Sequence, residues 1–287
     1  MKSKSSFWKR SVLFLIVFFF VFTSLWGLYI SVKPPKMVST ITPKDLGLDY
    51  EDVSFTTEDN VTLRGWFIRN KQAQDPKTII GLHGYPADKG NILPIIAFLS
   101  RKYHVLLFDF RYLGASGGGY STIGAEEIRD LRSAIAFLKS RGVKEVGVWG
   151  FSMGAAVALM AASTLPEIKA VVSESSYAQL DLIAPVLFRF PVLKYPLAWL
   201  TGLWARLFLG VNLEKVSPKN SAKNLNIAVL IIHSKRDPLI TFQHALLLQE
   251  ALKNNAKAEF WFHDNLFHGQ LGADYEKRIS NFFAANL

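Results

Sequence analysis

Val146-Gly-Val-Trp-Gly-Phe-Ser152-Met-Gly-Ala-Ala-Val-Ala-Leu-Met-Ala-Ala162 passes within a few residues from one kind of local structure to another. Val146-Gly-Val-Trp is a short apolar run suited to a buried strand, whereas Ala155 to Ala162 consists of helix formers. Between them stands Gly150-Phe151-Ser152-Met153-Gly154. A strand that runs straight into a helix must turn sharply at the serine, which holds that residue in a strained conformation with its hydroxyl exposed. Glycines two before and two after are needed because larger side chains would strike the turn and the neighbouring strand. The helix N-terminus behind the serine favours developing negative charge. Gly-x-Ser-x-Gly alone is common by chance; its placement at a strand-to-helix junction makes Ser152 a candidate nucleophile.

Outward from this junction, short apolar runs alternate with helical stretches. Thr78-Ile-Ile-Gly-Leu, Val105-Leu-Leu-Phe, Ala170-Val-Val, Ile227-Ala-Val-Leu-Ile-Ile and Glu259-Phe-Trp-Phe read as buried strands, and Glu126 to Lys139 as a helix. Two β-rich runs flank Glu58-Asp59-Asn60, which predicts an antiparallel hairpin. This alternation implies an α/β fold: crossover units and a mainly parallel central sheet with helices on both faces, over residues 51–287. One stretch breaks the rhythm. Between Tyr177 and Ser217 the chain is dense in apolar and aromatic residues and broken by Pro185, Pro191 and Pro196, and no simple crossover requires it. It predicts a helical cap inserted at about 178–216. From Leu182 to Leu213 only Arg189, Lys194 and Arg206 are charged. The run after Pro196 forms a helix too short to span a bilayer, with Leu197, Leu200, Trp204 and Leu207 on one face and Trp199 and Leu203 on another.

A serine hydroxyl is a poor nucleophile until an oriented base takes its proton. After an elbow of this kind the partners follow in the order acid, then histidine. Asp237 lies in the loop beyond the strand ending near His233, and His268 in Asn-Leu-Phe-His-Gly beyond the strand around Phe260–Phe262. Both therefore leave the sheet on the edge where Ser152 stands and where ligands of open α/β sheets bind. His263 is the competing base, but it continues the alternating strand and is expected to pack at the sheet end. Glu174 is the competing acid, with a capping or lid-hinge carboxylate as its bland alternative. Two backbone donors would stabilise an oxyanion: the N–H of Met153, and the N–H of Tyr85 in His83-Gly84-Tyr85. His83 itself is expected to brace that loop. His104, His233 and His244 have no metal-ligand spacing, and Asp109-Phe-Arg-Tyr-Leu-Gly-Ala-Ser-Gly-Gly-Gly lacks the pattern of a phosphate loop.

The N-terminal end has a different character. Ser11 to Ile30 is a run of 20 residues without charge, about the length a helix needs to cross the hydrocarbon core. Trp8 stands at one end and Trp26 and Tyr29 at the other, where amphipathic rings favour the interface. The bulky residues after Leu25 do not resemble a small-x-small cleavage site, so the segment reads as a transmembrane anchor at 11–32, after a basic segment at 1–10 and before a linker at 33–50. Four basic residues precede the span and three follow it, which favours an N-terminus in the cytoplasm and a catalytic domain outside it. The net charge of +10 belongs mainly to this end, since residues 45–287 carry 26 basic and 23 acidic residues. That distribution fits a membrane flank and not a nucleic-acid partner. Cysteine is absent, which excludes disulfides, thiol nucleophiles and thiolate metal sites.

Together, the hairpin with Leu63-Arg-Gly-Trp, His83-Gly84, Asp109-x-Arg-x-x-Gly-x-Ser, Gly150-x-Ser152-x-Gly154, Asp237-Pro238 and His268-Gly269 resemble an α/β-hydrolase from about Val53 to Leu287. The pattern is similar to the membrane-anchored Bem46-like branch, near the serine-aminopeptidase-like and monoacylglycerol-lipase-like hydrolases. Ser234 departs from it where relatives often have Gly, and Tyr112-Leu113 replaces the usual Gly-Tyr. The resemblance implies the α/β-hydrolase fold and hydrolase chemistry without a cofactor or metal; it says little about substrate. The reading it favours is hydrolysis of a lipid or small acyl ester through acyl-Ser152, at a membrane reached by the N-terminal helix and the cap. A peptidase of the same fold and a catalytically silent membrane-bound binding module are the alternatives.

Overall fold

The computed structural model describes residues 2–71 and 77–287. It opens with one long helix, α1 (Lys2–Val32). The side chains of Lys2 and Lys4, part of the expected basic flank, lie outside the described residues. From Ser6 to Val32 α1 is long and apolar enough to cross a bilayer, which makes it a candidate membrane span. The sequence places the anchor's start at residue 11; the helix continues to Lys2 because nothing in Lys-Ser-Ser-Phe-Trp-Lys-Arg breaks it.

Beyond an irregular stretch, β1 (Tyr50–Thr56) and β2 (Thr62–Ile68) form the predicted hairpin, closed where Thr57 N–H donates to Val61 O at 2.9 Å. The chain then alternates: β3 (Thr78–Leu82), α2 (Lys89–Ile96), β4 (His104–Phe108), α3 (Glu127–Ser140), β5 (Val146–Phe151), α4 (Met153–Ala162) and β6 (Ile168–Glu174). After it come α5 (Leu180–Ile183), α6 (Lys194–Leu209), α7 (Pro218–Ala222), β7 (Ala228–Ser234), α8 (Phe242–Ala251), β8 (Ala258–His263) and α9 (Tyr275–Asn286). Among the described residues the strands form one sheet ordered β1-β2-β4-β3-β5-β6-β7-β8. It is antiparallel at β1-β2-β4 and parallel from there on.

Strand periodicity separates two cores. Ile80, Leu82, Leu106, Phe108, Val148, Val171, Val229 and Ile231 meet α3, α4 and α8 on one face. Their neighbours Ile79, Val105, Leu107, Trp149, Val172, Leu230 and Ile232 meet α2 and α9 on the other. Both faces being covered, the strands need no polar alternation, which is why they read as unbroken apolar runs. All parallel strands end toward α4 and the segment 175–217, and that edge carries the site.

The predicted helix after Pro196 is α6, but its packed face differs from the one expected. Leu197, Ala198, Thr201 and Ala205 are buried, while Leu207 is 62% exposed. The reason is its partner. Thr201 donates to Ser24 O of α1 at 3.1 Å, so its face, with Leu197, Ala198 and Ala205, turns inward and leaves Leu207 outside.

Candidate active site

Ser152 sits between β5 and α4 with φ 53° and ψ −114°, outside the conformations a serine ordinarily adopts. Such a residue costs on the order of 1–3 kcal/mol and persists only where its surroundings hold it. Here Ser152 N–H donates to Glu174 O at 2.8 Å, and Ser152 O accepts from Ala156 N–H at 3.1 Å. The two flanking glycines are explained by contact. A Cβ on Gly150 would lie 2.5 Å from Gly154 O, and one on Gly154 would lie 2.4 Å from Leu82 O. One glycine therefore serves the turn itself and the other its approach to β3.

Asp237 and His268 are brought together. His268 Nδ1 lies 2.6 Å from Asp237 Oδ2. The other carboxylate oxygen accepts from Leu239 N–H and Ile240 N–H, both at 2.9 Å. Burial pushes the Asp237 carboxyl up, but the hydrogen bonds from His268 and these amides outweigh it and hold the group below its ordinary range. The buried His233 side chain secures the same turn through Nε2, 2.7 Å from Ile240 O. The His268 ring packs on Phe151, the residue before the elbow serine, with centroids 4.8 Å apart. Asp237 thus bonds His268 and His268 overlies the elbow.

The competitors have other partners. His263 ends β8, packed on Trp261 at 4.5 Å, and Gly272 lies so close that a Cβ there would be 2.4 Å from the imidazole. Glu174 accepts from Tyr275 O–H, and the same hydroxyl accepts from Trp149 Nε1–H at 3.0 Å. Its carboxyl is therefore turned into the α2/α9 core, where burial pushes it up to about 7 against the hydrogen bond from Tyr275.

Gly84 lies against the elbow, since a Cβ there would be 3.2 Å from Ser152 Cβ. This brings the backbone of the His83–Tyr85 loop beside the serine. Met153 opens α4, so its N–H has no intrahelical acceptor. His83 braces the loop as the sequence suggests: its Nε2 accepts from Phe110 N–H at 3.0 Å, and its Nδ1 lies 2.7 Å from Gly84 O. Burial holds its pKa below the ordinary range, which keeps it neutral with the proton on Nδ1. Asp109, on the facing loop, accepts from Lys89 Nζ at 2.7 Å and Ala115 N–H at 2.8 Å, a buried structural pair in place of any phosphate cradle.

Above Ser152 lies a cavity of about 360 Å³, lined by Tyr85, Met153, Ile183, Leu187, Leu209 and Ile240 among others, with no charged side chain among its lining residues. Its lining also includes Leu28, Ser31 and Val32 of α1 and Thr201 and Ala205 of α6. The sequence reading missed the part of α1 in this wall. Its one signal was Ser24-x-x-Gly27, two small residues on one face of a helix of bulky ones. Ser24 Oγ accepts from Trp204 Nε1–H at 2.9 Å, Ser24 O accepts from Thr201 Oγ1–H at 3.1 Å, and Gly27 lies against the Phe188 ring.

Comparison with known proteins agrees with this geometry. The profile of the alpha/beta hydrolase fold family matches residues 77–209. The chain is 28% identical to uncharacterized protein YfhR of Escherichia coli O157:H7 over 83% of this chain and 81% of that one. It is 23% identical to protein bem46 of Schizosaccharomyces pombe, over 85% and 80% respectively. The solved structure of the Pyrococcus furiosus esterase Pf2001 superposes with a TM-score of 0.75 and 32% identity, covering 89% of this chain and 99% of that one. By its strand order, its serine elbow and these matches, the chain belongs to the alpha/beta hydrolase fold family.

Proposed function

We propose that this chain is a membrane-anchored serine hydrolase that cleaves acyl esters through an acyl-Ser152 intermediate. The observation that carries this is the 2.6 Å contact between His268 Nδ1 and Asp237 Oδ2, beside a serine held at positive φ. An ionised Asp237 keeps the proton of neutral His268 on Nδ1, leaving Nε2 as the base. Nε2 takes the Ser152 proton as Oγ attacks the ester carbonyl, and the N–H groups of Met153 and Tyr85 meet the developing oxyanion. The imidazolium then gives its proton to the leaving alkoxide. Water, deprotonated by the same nitrogen, releases the acid and restores Ser152. An uncharged cavity supports an ester over an aminopeptidase substrate, whose terminal amine needs an acidic group. The similarity to an esterase at 32% identity points the same way. In this reading α1 spans the bilayer with its N-terminus in the cytoplasm and the catalytic domain outside.

A fluorophosphonate probe tests the proposal. The full chain is expected to be labelled once, the Ser152→Ala variant not at all, and p-nitrophenyl esters are expected to turn over faster than aminoacyl anilides. Labelling that survives Ser152→Ala would place the nucleophile elsewhere.

A further inference from the structure

The wall that α1 contributes to the cavity points to where the substrate comes from. Ser24, Gly27, Leu28 and Ser31 follow the i, i+3, i+4, i+7 spacing of one helical face. Ser24, Gly27 and Leu28 are buried, while Trp26, Tyr29 and Ile30 on the other side are exposed. The packed face does two things. Ser24 and Gly27 seat the cap, as described above. One turn further on, Leu28 and Ser31 line the cavity over Ser152, and Ser31 O accepts from Tyr85 O–H at 2.5 Å. The candidate span thus ends in the wall of the candidate active site, on the loop assigned to the oxyanion.

The remaining wall is built to present hydrocarbon. Thr201 shares its one hydroxyl hydrogen between Leu197 O and Ser24 O, Tyr177 donates to Ile123 O, and Thr122 donates to Glu127. Tyr85 is taken up by Ser31 O. These hydroxyls are satisfied within the protein, so they turn no unmet polar group toward a ligand. Such a cavity favours an alkyl chain over a polar acyl group.

Depth supplies the second half of the argument. The α1–cap contact runs from Phe19, whose ring meets Phe190 at 6.1 Å, down to Ser31. Twelve residues of helix rise about 18 Å, more than half of a hydrocarbon core of roughly 30 Å. With α1 across a bilayer, the cap lies at the depth of one leaflet. Trp199, Leu207, Phe208 and Val192 are all more than 60% exposed. At that depth they meet acyl chains instead of water.

We infer that the substrate is a bilayer-resident lipid ester whose acyl chain enters the cavity from that leaflet along the seam between α1 and α6, with Leu28 as a residue that sets chain-length preference. This rests on Ser152 being the nucleophile and α1 the anchor. A lipid already in the leaflet would keep its chain in an apolar phase from bilayer to cavity, so that only its ester and headgroup lose water.

The test uses the full chain reconstituted in phosphatidylcholine vesicles, with p-nitrophenyl acetate, octanoate and laurate. Leu28→Trp fills the cavity from the α1 side, and should lower the laurate-to-acetate ratio of kcat/KM at least tenfold. Ile30→Trp, on the exposed face, should leave that ratio within twofold. Leu28→Ala enlarges the cavity, and should move the preferred chain toward laurate; it keeps the test open if the tryptophan variant does not fold. At fixed total laurate ester, added phosphatidylcholine should lower the rate in proportion to the ester's surface dilution. Unchanged ratios in both Leu28 variants, or a rate indifferent to dilution, overturn the inference. Fluorophosphonate labelling of each variant separates the two levels. Labelled protein with unchanged ratios refutes the lipid route alone, whereas an unlabelled wild type refutes the serine reading on which it rests.

Discussion

At the scale of residues, two histidines near the end of β8 divide the possible chemistry between them. His268→Ala should lower kcat by about 10³ or more, because Ser152 loses its base. His263→Ala should leave kcat nearly unchanged, since that ring packs on Trp261 and under Gly272. Steady-state kinetics on one soluble ester decides this, and the reverse result would reassign the base. Asp237→Asn should cost about 10⁴ through the wrong histidine tautomer. Full activity there would move the acid to another carboxylate. These residues were legible in the sequence because each stands just beyond a strand, and a parallel sheet gathers its strand ends at one edge. His233 was not legible as a support of the Asp237 turn: its partner is a backbone carbonyl, and backbone carries no residue-type signal.

At the scale of elements, strands and crossover helices were readable from periodicity, whereas the packing of α1 on α6 was not. A helix apolar on every side shows no preferred face. Only Ser24 and Gly27 hinted at one. The contact can be measured. Ser24→Val removes the acceptor of Trp204 Nε1–H, and a part-buried unsatisfied donor costs about 1–3 kcal/mol. The melting temperature of the detergent-solubilised chain should fall, and Trp204→Phe should have a smaller effect in the Ser24→Val background than alone. Strict additivity would mean that the bond carries nothing. Another element junction, β6 to α9, makes a prediction about pH. Glu174 has an ordinary value of 4.5 and is raised to about 7 in the fold, chiefly by burial. The folded chain therefore holds a proton that the unfolded chain releases between these values. Its contribution is full below about pH 4.5, is lost as pH rises, and is flat above about 7, a span on the order of 3 kcal/mol. Glu174→Gln keeps an acceptor for Tyr275 and should be less sensitive to pH than the parent between pH 5 and 8 in urea unfolding. Parallel curves for the two chains would assign the slope to other groups.

At the scale of the whole molecule the question is whether α1 stays attached and which side the domain faces. The end of α1 and the expected linker are tied to the domain at successive points. Ser121 N–H donates to Val32 O at 2.9 Å, Tyr112 O–H to Pro34 O at 3.0 Å, and Lys36 Nζ to Ser116 O at 3.1 Å. Cleavage near Val32 would remove Leu28 and Ser31 from the cavity wall and leave Trp204 and Thr201 without the Ser24 acceptors. The chain should therefore retain its N-terminal helix, and intact mass measurement of the purified membrane form should find it. A mature chain beginning near Val32 would show α1 to be a removed signal and would abolish the seam. The proposed orientation rests on charge. Lys2, Lys4, Lys9 and Arg10 precede the span, against Lys33, Lys36 and Lys44 after it. Four basic residues against three within reach of the span ends favour the N-terminal side as the cytoplasmic one. Alkaline phosphatase fused after Leu287 should be active in a bacterial host, and green fluorescent protein at the same position dark. A fluorescent fusion with inactive phosphatase would put the domain in the cytoplasm, and the lipid ester with it in the inner leaflet.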